Sequence, residues 1–140
     1  YENNVCVDTV LYANVYETIK KLYEQNFKLA IITNKPHQFV APILEKLNIS
    51  QYFDDFIGGD FLDMKKPAAE PLRYMCDKFK IDVTKAIMIG DSKNDIVAAK
   101  AASVDSIAVS YGYNYGESIA LYNPDIIVDD FADIADILCK

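Results

Sequence analysis

The chain has 140 residues, 51% hydrophobic and 25% charged, a length and balance that suit one globular domain around one core. Its net charge of −7 argues against a nucleic-acid partner, whose phosphates need a basic face, and no apolar run approaches the roughly 20 residues of a membrane-spanning helix. Cys6, Cys76 and Cys139 lie far apart without a CxxC pair, which favours reduced cytoplasmic thiols over a disulfide framework or a zinc site.

Residues 1–14 mix polar and apolar types around Val5, Val7, Val10 and Leu11 and predict no more than a short extended piece. The chain opens on Tyr1 rather than Met and is expected to begin partway through a longer protein. From Val15 to Asn26, the residues Val15, Ile19, Leu22 and Tyr23 recur at helical spacing, and Asn26 is a helix stop. Lys28-Leu29-Ala30-Ile31-Ile32-Thr33 reads as a buried strand that runs into Asn34-Lys35-Pro36. Pro36 suits the first turn of a helix striped by Phe39, Val40, Ile43, Leu44 and Leu47.

Asp55-Phe56-Ile57-Gly58-Gly59 predicts a short strand with a glycine exit, and Met64-Lys65-Lys66-Pro67 a loop. A helix over Pro71–Phe79 follows, with Leu72, Met75, Cys76 and Phe79 inward. The uninterrupted run Ala86-Ile87-Met88-Ile89 is the pattern of a strand buried on both faces of a parallel sheet, and it ends in Gly90-Asp91. A helix through Ile96, Ala99 and Ala102, strands at 106–109 and 125–128, and a last helix to Leu138 complete the chain. Strands alternating with helices define a doubly wound, Rossmann-like parallel α/β fold.

Three of these strand or loop ends carry chemistry. In a parallel sheet Thr33, Lys66 and Asp91 fall on the same edge, where open α/β sheets bind ligands. A hydroxyl beside free amides at a helix start suits a phosphate oxygen. A lysine supplies a compact positive charge for a developing anion. Asp91 and Asp95, one helical turn apart, suit a hard cation such as Mg2+, and they equally suit the capping of the helix that follows. Each feature alone is commonplace; the ordered set of hydroxyl, Lys-Pro and Gly-Asp-x-x-x-Asp is far more specific.

Ile32-Thr33-Asn34-Lys35-Pro36, Lys66-Pro67 and Gly90-Asp91-Ser92-Lys93-Asn94-Asp95 resemble the second, third and fourth motifs of the haloacid dehalogenase superfamily of hydrolases. Phe39-Val40-Ala41-Pro42 and Ile57-Gly58-Gly59-Asp60 resemble its phosphoglycolate phosphatase branch most closely. The resemblance implies a Mg2+-dependent phosphomonoesterase acting on a small phosphorylated metabolite, 2-phosphoglycolate first. It implies that Thr33 and the Asn34 amide hold the phosphate and that Lys66 neutralises nucleophile and phosphoryl charge. It further implies that Asp91 ligates the metal and that Asp95 orients Lys66 or the metal shell. The alternatives are an α/β fragment that binds phosphate and metal without turnover, or another enzyme of the superfamily such as a sugar phosphomutase or nucleotidase.

The chain departs from the family pattern at Ala69, where a second proline is usual, and at Ser103, where a glycine is usual. The family's first motif, Asp-x-Asp-Gly-Thr, is absent, and with it the aspartate nucleophile and the general acid. By the resemblance, residues 1–14 are the end of a cap and a return linker, residues 15–140 are the core, and the central strand of the sheet is missing. Asp8 follows apolar residues but has Val10 where a second acid would stand, so it is expected to have no catalytic role. His37, the single histidine, is expected to be an exposed helix-start residue.

Overall fold

The computed structural model describes residues 4–7, 15–46, 48–111 and 116–138, with side chains from residue 16 onward. In chain order the elements are β1 (Asn4–Val7), α1 (Val15–Glu24), β2 (Lys28–Ile32), α2 (Val40–Lys46), β3 (Asp55–Ile57), α3 (Glu70–Lys78), β4 (Ile87–Gly90), α4 (Lys93–Ala102), β5 (Asp105–Val109), β6 (Ile126–Val128) and α5 (Ala132–Leu138). A 3-10 turn at His37–Phe39 leads into α2. β2 and β4 are as the apolar runs predict, because a run without polar interruption suits a place where both faces are covered. Every residue of β4, and every residue of β2 except Lys28, is buried.

All strand pairings are parallel, and the order across the sheet is β3-β2-β1-β4-β5-β6. The first three strands step one way from the middle and the last three the other way. The order therefore reverses between β1 and β4, and ligands of such sheets bind at the carboxyl ends flanking that reversal.

The central position, expected to be empty, is held by Asn4–Val7. β1 pairs with β2 and β4, with Cys6 level with Ala30 on one side and Met88 on the other. Asn4–Val7, four of the residues read as cap end and linker, belong to the sheet. The physical reason is the requirement that buried backbone groups be paired, which two inner strands cannot meet without a neighbour between them. Asp8 and Cys139 lie outside the described residues.

Alternation along each strand divides the core in two. Leu29, Ile87, Ile89, Ile107 and Val109 pack with Ile19 and Leu22 of α1 and Ile134 of α5. Ala30, Ile32 and Met88 face the other way, against Leu72, Met75 and Cys76 of α3 and Ala98, Ala99 and Ala102 of α4. Each fully buried Leu or Ile contributes about 1.5–3 kcal/mol. The alanine face lets α4 approach closely. Burial, with the nearby Asp77 and Asp82 charges adding to it, pushes the Cys76 thiol up, so it packs as a small apolar group.

Each outermost strand is preceded or begun by an aspartate that accepts from the neighbouring strand's backbone. Asp54 Oδ2 takes Leu29 N–H at 2.9 Å, and Asp125 Oδ2 takes Ser106 N–H at 2.8 Å.

Ser103, where the family favours glycine, ends α4 in the left-handed conformation at φ 61° and is exposed. A Cβ is disfavoured there and nothing in the side chain repays it. Ser103→Gly is expected to raise stability by about 0.5–1 kcal/mol, read as a higher urea midpoint at unchanged slope. A lower midpoint would mean that residue 103 is not left-handed.

Candidate active site

The second-motif residues sit where β2 ends. Thr33 N–H donates to Ile57 O at 3.2 Å, which ties the strand end to β3. Lys35 N–H donates to Thr33 Oγ1 at 3.2 Å. A hydroxyl has one proton and two acceptor sites, so this bond leaves the Thr33 proton available to an anion. Asn34 turns its side chain the other way: Nδ2 donates to Lys66 O at 2.9 Å. Its Oδ1 is buried with no hydrogen-bond partner among the described residues. The tie from Asn34 to Lys66 was not foreseen from the sequence. It spans 32 residues, and nothing local signals it.

Lys66 and Lys65 are adjacent but unlike. Lys65 is exposed, whereas Lys66 is 3% exposed. Lys66 Nζ lies 2.5 Å from Asp95 Oδ1. The peptide bond between Lys66 and Pro67 is cis.

Asp95 is fully buried and uses both oxygens. Oδ1 pairs with Lys66, while Oδ2 accepts Asp91 N–H at 3.0 Å and Ser92 N–H at 3.1 Å. Ser92 is the N-cap of α4, so one carboxylate both stops the helix end from fraying and holds the lysine. Asp95 is therefore at once the helix cap and the partner of the buried Lys66. It does not face an open cleft beside Asp91. Gly90 is what lets it in: a Cβ there would overlap the Asp95 side chain.

Asp91 is half-buried at the end of β4, beside the reversal of strand order. Its carboxylate is a donor of the type a hard cation takes. With both Asp95 oxygens committed, the described residues contain no group of three carboxylate, imidazole or thiolate side chains that could hold a metal. They fit one ligand of such an ion rather than a complete site.

The structure thus links Asn34, Lys66, Asp95 and the Asp91 backbone in one hydrogen-bonded chain that runs from the end of β2 to the end of β4. Thr33 stands at its β2 end. His37, expected to be exposed, is half-buried instead. Its ring lies between Phe56 and Phe61, with centroids 5.3 and 4.7 Å away, because α2 starts directly over the glycine exit of β3.

This doubly wound sheet, with Thr-Asn, Lys-Pro and Gly-Asp-x-x-x-Asp at its carboxyl edge, matches a family model described as haloacid dehalogenase-like hydrolase over residues 1–109. The chain belongs to that family. It is 47% identical over 134 residues to a phosphoglycolate phosphatase of Colwellia psychrerythraea, covering 96% of this chain and 59% of that protein. A phosphoglycolate phosphatase of Salmonella typhimurium is 47% identical over 126 residues, covering 90% and 50%. The crystal structure of a predicted phosphoglycolate phosphatase from Haemophilus somnus superposes with a TM-score of 0.88 at 44% identity, covering 90% of this chain and 56% of that one. The chain spans about half the length of the curated relatives it matches. No helix among the described residues is long and apolar enough to cross a membrane.

Proposed function

We propose that the complete protein is a cytoplasmic, Mg2+-dependent phosphatase of small phosphorylated metabolites, with 2-phosphoglycolate the first substrate to test. The observation that carries this reading is Lys66: a buried cation fixed by Asp95 and tethered through its carbonyl to the Thr33–Asn34 turn. A buried lysine held at the ligand-binding edge of the sheet suits an anion whose charge grows in the transition state. The relatives' names support the substrate class.

In this reading Thr33 donates its hydroxyl proton to a phosphate oxygen. Lys66 offsets the phosphoryl charge while Asp95 keeps its ammonium in place. Asp91 supplies one ligand of Mg2+, which when bound polarises the phosphoryl group and neutralises its charge. The attacking carboxylate comes from a segment outside this sequence and forms the aspartyl-phosphate. Residues 1–140 alone, the second reading, bind phosphate and do not turn it over. The half-length coverage of the relatives favours keeping that reading in view.

The test is hydrolysis of 2-phosphoglycolate by the complete protein, with Mg2+ and after chelation. Turnover near about 1 per second or faster is expected with the metal. Asp91→Ala should lower kcat/KM by more than about 100-fold, since even residues that only support metal ligands cost 10- to 100-fold when removed. An Asp91→Ala enzyme with unchanged Mg2+-dependent turnover would remove Asp91 from the site.

A further inference from the structure

We propose that His37 is a positioning residue for the phosphate-binding turn Thr33–Lys35, acting through its Nδ1 lone pair; the role rests on the phosphate reading above. Two loops meet here, the one after β2 and the one after β3. Gly58 N–H donates to His37 Nδ1 at 3.0 Å, and His37 N–H donates to Asp60 Oδ1 at 2.7 Å. Gly59 N–H donates to Lys35 O at 2.7 Å. The loops lie so close that a Cβ on Gly58 would overlap the His37 backbone.

The imidazole therefore does two separable jobs. Its ring stacks on Phe56 and lies tilted against Phe61, and Phe61 in turn meets the Tyr74 ring edge-on at 5.6 Å. That is packing. Its Nδ1 accepts a backbone proton, which fixes the ring's own proton on Nε2.

The second job reaches the phosphate turn by a short path. Gly58 N–H, next to Gly59, is held by the ring. Gly59 holds the Lys35 carbonyl. Lys35 N–H holds the Thr33 hydroxyl oxygen. A Gly58 N–H deprived of its acceptor turns to find another, because a half-buried donor left without one is costly. Gly59 N–H shifts with it, the Lys35 carbonyl loses its fixed donor, the turn that carries Lys35 N–H loosens, and the Thr33 proton loses its aim.

Stacking and acceptance can be separated by substitution. Asparagine places Oδ1 where histidine has Nδ1 and so keeps the acceptor without the ring. Phenylalanine keeps the ring without the acceptor. The experiment measures binding of inorganic phosphate to the complete protein by 31P NMR line broadening, together with thermal unfolding and the KM and kcat for 2-phosphoglycolate. His37→Asn is expected to melt lower yet bind phosphate within about 3-fold of the parent. His37→Phe is expected to melt close to the parent and bind phosphate about 10-fold more weakly, the loss of one hydrogen bond's worth of order. The weakening should appear in KM, with kcat changed less than about 3-fold.

Equal phosphate binding by parent and His37→Phe, or binding by His37→Asn as weak as by His37→Phe, overturns the proposal. If His37→Phe does not fold, His37→Leu takes its place, since it too removes the Nδ1 acceptor of Gly58 N–H; unchanged phosphate binding there overturns it equally. Phosphate binding is read without turnover. A protein that binds phosphate with this pattern but does not hydrolyse 2-phosphoglycolate refutes the substrate assignment and leaves the role of His37 standing.

Discussion

Lys66→Met is expected to destabilise the protein by about 3–5 kcal/mol, the range for removing one partner of a buried ion pair. The cause is Asp95, which is fully buried and loses the ammonium beside Oδ1. Its Oδ2 still accepts from Asp91 and Ser92, so the carboxylate cannot leave without opening the start of α4. Urea unfolding reads the loss directly. Adding Asp95→Asn to the Lys66→Met variant should recover part of it, because an amide oxygen still caps the helix and no charge is buried. Lys65→Met should cost less than about 0.5 kcal/mol, as exposed substitutions usually do. If Lys65→Met proved the more damaging of the two, the assignment of the buried lysine would be shifted by one residue.

Cys6→Pro should be comparably severe. Cys6 lies midway in β1, level with Ala30 and Met88, so it has strands on both sides. Proline removes a ladder donor and is not tolerated in a central strand, and the cost is about 3 kcal/mol or more. Asn4→Pro is the contrast. Asn4 is the first residue of the strand and is level with Lys28 alone, a position where proline costs little. Equal midpoints for Cys6→Pro and the parent would mean that residues 4–7 do not hold the middle of the sheet.

How far the sequence foretold this arrangement varies by element, and the reason is locality. The strands 28–32 and 87–90 are legible because unbroken apolar runs of that length fit only a strand covered on both faces. Helix α3 is legible from Leu72, Met75 and Cys76, which fall on one stripe. Asn4-Val5-Cys6-Val7 is not legible as a central strand. Its four residues carry no more apolar signal than many loops, and its place is decided by a vacancy between two distant strands. The same holds within the site. Lys66-Pro67 and Gly90-Asp91 stand out as sequence, and the resemblance leaves Asp95 to orient either Lys66 or a metal shell; that it pairs with Lys66 depends on how α4 seats against the sheet. Asp95 shows the limit most clearly. A cap and an ion-pair partner look alike in sequence, and only the positions of its two oxygens reveal that it is both. His37 reads as exposed for the same reason: Gly58, which it covers, lies 21 residues away.

The aspartates that begin the outer strands bear on how this protein behaves among its own copies. A sheet edge normally offers a row of free donors and acceptors that another chain can extend. Among the described residues β3 and β6, which end the sheet, are only three residues long. Beside each, a carboxylate rather than more edge backbone answers the inner strand's first donor. Asp55 is further engaged by the Lys78 ammonium, and Pro124, which has no N–H, stands just before Asp125. The Asp54 and Asp125 carboxylates face inward to β2 and β5, so an incoming strand meets chiefly the short backbone of β3 and β6, on a chain whose net charge is −7. Among the described residues both margins of the sheet are short, one of the ways a sheet limits edge-to-edge growth between copies.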